Sequence, residues 1–213
     1  MVDPFAPSPA RAALGAAVRR LAHDVVGHQP DDALSEELTT ALTSYSERIV
    51  PAPARARANS GFHEHWENHV AEGAPVESYE YRPFSGAASP WSVDPDIRRE
   101  GDGVAATVRF GSAHEGAPGR CHGGIVAGLF DDVLGSVLSV TGDGGFTGEL
   151  TVRYLIGVPL HVDLTMRCRV DRREGRKLFL LGELVLGDDI YATAKAVFIR
   201  PRDAPTQSTF DPA

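Results

Sequence analysis

The chain has 213 residues, enough for one domain of ordinary size with a buried core. With 42% apolar and 23% charged residues it is globular, which excludes a disordered chain. A formal net charge of −8 argues against a nucleic-acid partner, whose contact face is basic, and two cysteines, Cys121 and Cys168, are too few for a disulfide framework.

The two thiols fit a reducing cytoplasm, which is the expected location. The first residues carry an acid and three prolines where a signal peptide is basic and then apolar. No uninterrupted apolar run approaches the roughly 20 residues that cross a bilayer, so no membrane span is expected. Residues 1–9 read as a loose tail. From Pro9 to Val26, Leu14, Val18, Leu21 and Val25 recur at three- and four-residue spacing, which predicts an amphipathic helix. Gly27, Pro30 and Asp31 break it, and Asp32 or Ser35 caps a second helix that ends near Ile49. Pro51-Ala-Pro-Ala-Arg-Ala-Arg-Ala reads as a linker. Residues 1–58 are therefore expected to be a helical extension that adds a packing layer to a main domain of residues 59–213. A lid or a partner surface is the alternative.

In Phe62-His-Glu-His-Trp-Glu-Asn-His, His65 and His69 share a helix face. Glu67 does not complete the His-Glu-x-x-His pattern of zinc proteases, so a polar surface helix is expected and no metal. Ser78–Ser92 is irregular and rich in aromatics and prolines, as a covering loop is.

The period then changes. Val104–Phe110 is short and β-rich, bounded by Gly101, Gly103 and Gly111. A Gly/Pro loop, Gly111–Gly119, leads into Arg120–Leu138, where Ile125, Val126, Leu129, Phe130, Val133, Leu134, Val137 and Leu138 fall in pairs every four positions. That stripe is wide enough for a helix buried along one side. His122-Gly123-Gly124 opens the helix with bare amides at its positive end, a place where a polar ligand atom can approach. Asp131 and Asp132 sit in its middle, and acids there are costly without partners or a task. After the turn Gly142–Gly145 come strands near 146–155, 162–172, 176–187 and 190–200. Tight connections at Gly175 and Gly187-Asp-Asp189 predict an antiparallel meander for the last three. One long helix beside one antiparallel sheet is an α+β domain in which the sheet wraps the helix.

At about 1.5 Å per residue, Asp131 lies roughly 10 Å along the helix from the Gly124 amide. One carbonyl carbon cannot reach both. If both serve one reaction, they come from different chains, and a symmetric dimer with two composite sites follows. On a helical wheel Asp131 and Asp132 flank the apolar stripe at similar angles on opposite sides, so the wheel does not choose between them. Cys121 beside His122 is not read as a catalytic pair, because adjacent residues of an extended chain point apart.

Glu115-Gly-Ala-Pro-Gly-Arg-Cys-His-Gly-Gly-Ile-Val-Ala-Gly-Leu-Phe-Asp, Phe146–Tyr154, Pro159-Leu, Glu174–Lys177 and Ala192–Ile199 together resemble the hotdog-fold acyl-CoA thioesterases of the phenylacetic-acid-degradation type, in the thioesterase superfamily member 4-like branch. The resemblance covers about residues 100–200 and leaves residues 1–75 uncovered. It implies the hotdog fold, an antiparallel β-sheet wrapped around a long central helix, and homodimers that often pair into tetramers. It implies Asp131 as the catalytic carboxylate, nine residues after the motif His122, with Gly124 as the oxyanion-side amide and Thr147 as the hydroxyl on the next strand. Glu115, Gly116 and Gly123 fall at substrate-binding positions. Where some relatives carry an Asn six residues before the His-Gly-Gly, this chain has Gly116, which argues against an Asn-dependent mechanism.

The activity so implied is hydrolysis of acyl-coenzyme A to free acid and coenzyme A, a reaction of fatty acid metabolism. No cofactor is expected beyond the coenzyme A of the substrate. Asp131 of the other subunit acts as general base or as nucleophile, and both routes fit. His122 either donates to the carbonyl or holds the loop. Arg176 and Lys177 either meet coenzyme A phosphates or form a solvated turn. The competing reading is a non-catalytic acyl-CoA binding or sensing module on the same fold.

Overall fold

A computed structural model describes residues 8–53 and 70–202. In chain order it contains α1 (Pro9–Gly27), α2 (Asp32–Ile49), β1 (Asp96–Glu100), β2 (Gly103–Arg109), a 3-10 turn at Ser112–His114, α3 (Gly123–Thr141), and β3 (Phe146–Tyr154), β4 (Asp163–Glu174), β5 (Lys177–Leu186) and β6 (Asp189–Ile199). The tail before Ser8, most of the linker at 51–58 and the Phe62–His69 stretch with His65 and His69 lie outside the described residues.

The wide stripe of α3 finds its complement in one six-stranded sheet. The strand order is β1-β2-β4-β5-β6-β3, every neighbour antiparallel, and β4-β5-β6 is the expected meander. Val126, Leu129, Phe130, Val133, Leu134, Val137 and Leu138 are fully buried against alternate residues of the strands, among them Val104, Ala106, Val108, Leu164, Met166, Leu180, Leu184 and Ala194. Phe130 needs room, and Gly182 provides it: a Cβ there would lie 3.0 Å from the ring. By length and mean hydropathy (1.5) α3 meets the requirement for crossing a bilayer, and its place in the core accounts for that apolar length. Gly142, at a left-handed φ of 68°, ends the helix. Asp143, buried beyond it, pairs with Arg173 of β4 (2.8 Å) and with Arg200 (2.6 Å).

β1 is absent from the sequence reading. Its residues, Asp-Ile-Arg-Arg-Glu, place only Ile97 in the core, and an edge strand tolerates charge elsewhere. The covering loop is confirmed in its place. Phe84 lies over Gly128 of α3, and a Cβ at Gly128 would meet the ring at 2.2 Å.

α1 forms where its stripe predicts, but most of the stripe is exposed, and only Leu21 of it is half-buried. Leu14, Val18 and Val25 are 57, 42 and 47% exposed, while the buried residues are Gly15 and Arg19. Close approach and ion pairing decide this docking. Gly15 lies against the Ala88 main chain, and Arg19 donates to Ala87 O (2.9 Å), Ser89 O (2.8 Å) and the Asp94 carboxylate (2.8 Å). α2, capped by Asp31 as the chain predicts to within a residue, buries none of its residues.

Candidate active site

The loop before α3 is built to hold a sharp approach. Glu115 and Cys121 bridge as antiparallel residues, Gly116 N–H donates to Arg120 O (2.9 Å), and the Glu115 carboxylate accepts from Gly119 N–H. Glu115 thus closes its own loop. A Cβ at Gly116 would come within 2.9 Å of His122 Cα, so an Asn there would displace His122.

His122 is the N-cap of α3. Its Nδ1 accepts from Gly124 N–H at 3.0 Å, so the amide expected to be bare is held by the neighbouring imidazole. An acceptor Nδ1 in a neutral ring leaves the proton on Nε2, so the exposed ring presents an N–H donor. Tyr154, at the end of β3, donates its hydroxyl to Gly123 O (2.6 Å), and its ring stands 3.2 Å from where a Gly123 Cβ would be. Tyr154 closes the Phe146–Tyr154 stretch of the family resemblance, and nothing in the sequence marks its contact with the His122 turn. Burial first, then Cys121, raises its phenol's pKa. Burial pushes the Cys121 thiol up to about 12, which makes it a poor nucleophile.

The two acids of α3 separate clearly. Asp132 turns to the covering loop: its Oδ2 accepts from Phe84 N–H (2.9 Å) and Ser85 Oγ (3.0 Å), and its main-chain oxygen accepts from Arg82 (3.3 Å). Burial raises its pKa, while Arg82 and the two hydrogen bonds act against that. Asp131 turns the other way, where Thr147 Oγ1 donates to its Oδ1 at 2.7 Å. Thr147 stands beside a bulge in β3, where pairing with β6 shifts between Thr147 and Glu149.

Strand β3 therefore touches both halves of the candidate site, Thr147 with Asp131 at one end and Tyr154 with Gly123 at the other. Within one protomer they stay apart, roughly 20 Å along the strand. Arg176 and Lys177 belong to neither contact. Arg176 Nε donates to Arg200 O (2.9 Å), and Lys177 is exposed, in register with Ile199 and through it with Phe146, roughly 10 Å across the sheet from β3. Among the described residues no cluster of three metal-ligating side chains occurs.

The antiparallel sheet with a central helix is a hotdog fold. Residues 118–195 match the thioesterase superfamily model. The chain is 34% identical over 88 residues to the acyl-coenzyme A thioesterase THEM4 of Xenopus laevis, 40% of each chain, and 35% identical over 88 residues to that of Bos taurus, 40% of this chain and 36% of the relative. It spans about two fifths of the length of these curated relatives. One solved structure, described as a thioesterase superfamily protein, superposes with a TM-score of 0.76 at 25% identity and covers 91% of this chain and 96% of its own.

Proposed function

We propose that the protein is an acyl-CoA thioesterase whose sites are shared between two protomers. The observation that carries this is the arrangement along β3. Among the described strands this one ends the sheet, carries Thr147–Asp131 at one end, and reaches the His122 turn through Tyr154 at the other. Antiparallel pairing of two such edges about a two-fold axis near Leu150–Thr151 sets Thr147 of one protomer opposite Tyr154 of the other. The 10 Å gap along the helix then closes between chains, as one reaction at both groups requires.

In this site the thioester oxygen sits at the start of α3. Either the His122 ring swings aside and the Gly124 N–H takes the oxyanion, or His122 stays and its Nε2–H takes it. A single oxyanion donor of this kind contributes about 3–4 kcal/mol. Asp131 from the other protomer deprotonates water or attacks the carbonyl, and the Thr147 hydroxyl fixes the orientation of its carboxylate. Glu115 and Gly116 shape the loop behind His122, and Gly123 leaves room for Tyr154. With Arg176 tied to Arg200 O, Lys177 is the better placed of the two cations to meet a coenzyme A phosphate.

The test is a panel of acyl-CoAs, from acetyl to palmitoyl, with free-thiol detection. Wild type should hydrolyse at least one, and Asp131→Asn should lower kcat about 10²–10⁴-fold with KM little changed, as loss of a general base or nucleophile does. Hydrolysis that survives Asp131→Asn rules out the mechanism. Binding without any hydrolysis would identify a binding module instead.

A further inference from the structure

Two histidines that the proposed reaction does not use meet where α1 touches the loop before α3. His23 of α1 accepts Ala113 N–H on its Nδ1 (3.0 Å), and buried His114 accepts Gly111 N–H on its own Nδ1 (3.1 Å). The rings pack edge to face at 4.7 Å, with Phe110 against His114 at 5.9 Å. Gly111 admits the contact, since a Cβ there would lie 2.7 Å from the His23 ring. The main chain carries the connection onward: His122 N–H donates to His114 O at 2.8 Å, beside the Glu115–Cys121 bridge. Each imidazole is therefore a fixed acceptor, and a proton on Nδ1 cannot coexist with the N–H that points at it.

We propose that His114 is a positioning residue for the His122 turn, clamped by His23 of the N-terminal helix, and that protonation of this pair releases the turn. The proposal rests on the thioesterase reading only for the consequence to catalysis. His23 faces Asp24 and Arg19 on its own helix and His161 in the loop before β4, while His161 Nε2 lies 3.4 Å from Ser112 Oγ. His114 faces His23. Burial, then His23, pushes His114 down to about 4. Burial, His161 and Arg19 lower His23, against Asp24. Both pKa values are depressed by docking, so docking is favoured above the free value of 6.5 and weakens as pH falls from there toward 4.

The experiment is a pH titration from 7.5 to 4.5 of the full chain, following the imidazole nitrogens and amide exchange by NMR. Wild type should show Nδ1 of both rings unprotonated at neutral pH. Protection of the Ala113 and His122 amides, corrected for intrinsic exchange, should then fall by up to about tenfold per pH unit for each proton taken up. Asparagine presents its oxygen where Nδ1 stood and does not titrate, so His23→Asn/His114→Asn should hold that protection to pH 4.5. In the acyl-CoA assay the double variant should also lack the acid-side fall in kcat that the clamp contributes. A His114 ring that titrates near 6.5 without loosening His122, or an equal loss of protection in the double asparagine variant, overturns the proposal. If no acyl-CoA is hydrolysed, the catalytic reading fails while the ring and amide signals still decide the clamp.

Discussion

Asp131 and Asp132 differ by one position and by nearly everything else. The Asp132 carboxylate joins α3 to the covering loop at the cost of desolvation, so its pKa is raised in the fold. A raised carboxyl pKa means that the native state disfavours the charge at pH 7, a cost that is relieved as pH falls toward the unfolded value of 3.8. Asp132→Asn keeps an acceptor for Phe84 N–H without the charge. Its melting temperature should equal or exceed wild type at pH 7, with the advantage shrinking in acid. Asp132→Ala leaves the Phe84 N–H without its partner and should cost about 1–3 kcal/mol in denaturant unfolding. Neither should change kcat more than a few-fold, in contrast to Asp131→Asn. The choice between these acids was not legible from the chain alone, because the groups that take up Asp132, Phe84 and Ser85, lie 48 and 47 residues away. The family resemblance pointed to Asp131, and the hydrogen bonds give Asp132 a separate occupation.

Elements with a strong internal period were the legible ones. α3 and β4–β6 carry their burial pattern in their own residues, and α1 and α2 end within a residue or two of their punctuation. β1 carries a single inward apolar residue, too little for a period to show. α1 had the period, but its orientation came from features that periodicity does not weigh, a glycine and a buried arginine. Gly15→Ala separates the two influences. Intrinsic propensity favours alanine in a helix by about 1 kcal/mol. Its Cβ, however, would lie 2.7 Å from Ala88 O, in a covering loop where the Ala88 N–H donates to Glu80 O. The expected outcome is a less stable protein with faster exchange at Ala113, where α1 meets the 3-10 turn. A melting temperature above wild type would show that α1 docks loosely and that packing at Gly15 is dispensable.

At the scale of the whole molecule the question is whether β3 is an edge in the working protein. Tyr154, Leu155 and Ile156 stand 49, 47 and 44% exposed at and just beyond its C-terminal end, and long apolar sheet edges are rare because they recruit other strands. In the proposed dimer a second copy of the same edge would satisfy this need and bring the half-sites together. Complementation tests it directly. Asp131→Asn retains its Gly124 N–H, and Gly124→Pro retains Asp131 but has no N–H to offer, proline being tolerated in the first helical turn. Each variant alone should be inactive if the Gly124 amide is the oxyanion donor. Unfolded and refolded as an equal mixture, half of the dimers should be mixed, and each mixed dimer should hold one site made of two intact halves. About one quarter of wild-type activity should therefore return, with KM unchanged. If each site is built within one protomer, every site in the mixture carries a defect and none returns. If Gly124→Pro alone keeps full activity, the oxyanion donor is His122 Nε2–H, and the same mixture made with His122→Ala takes its place.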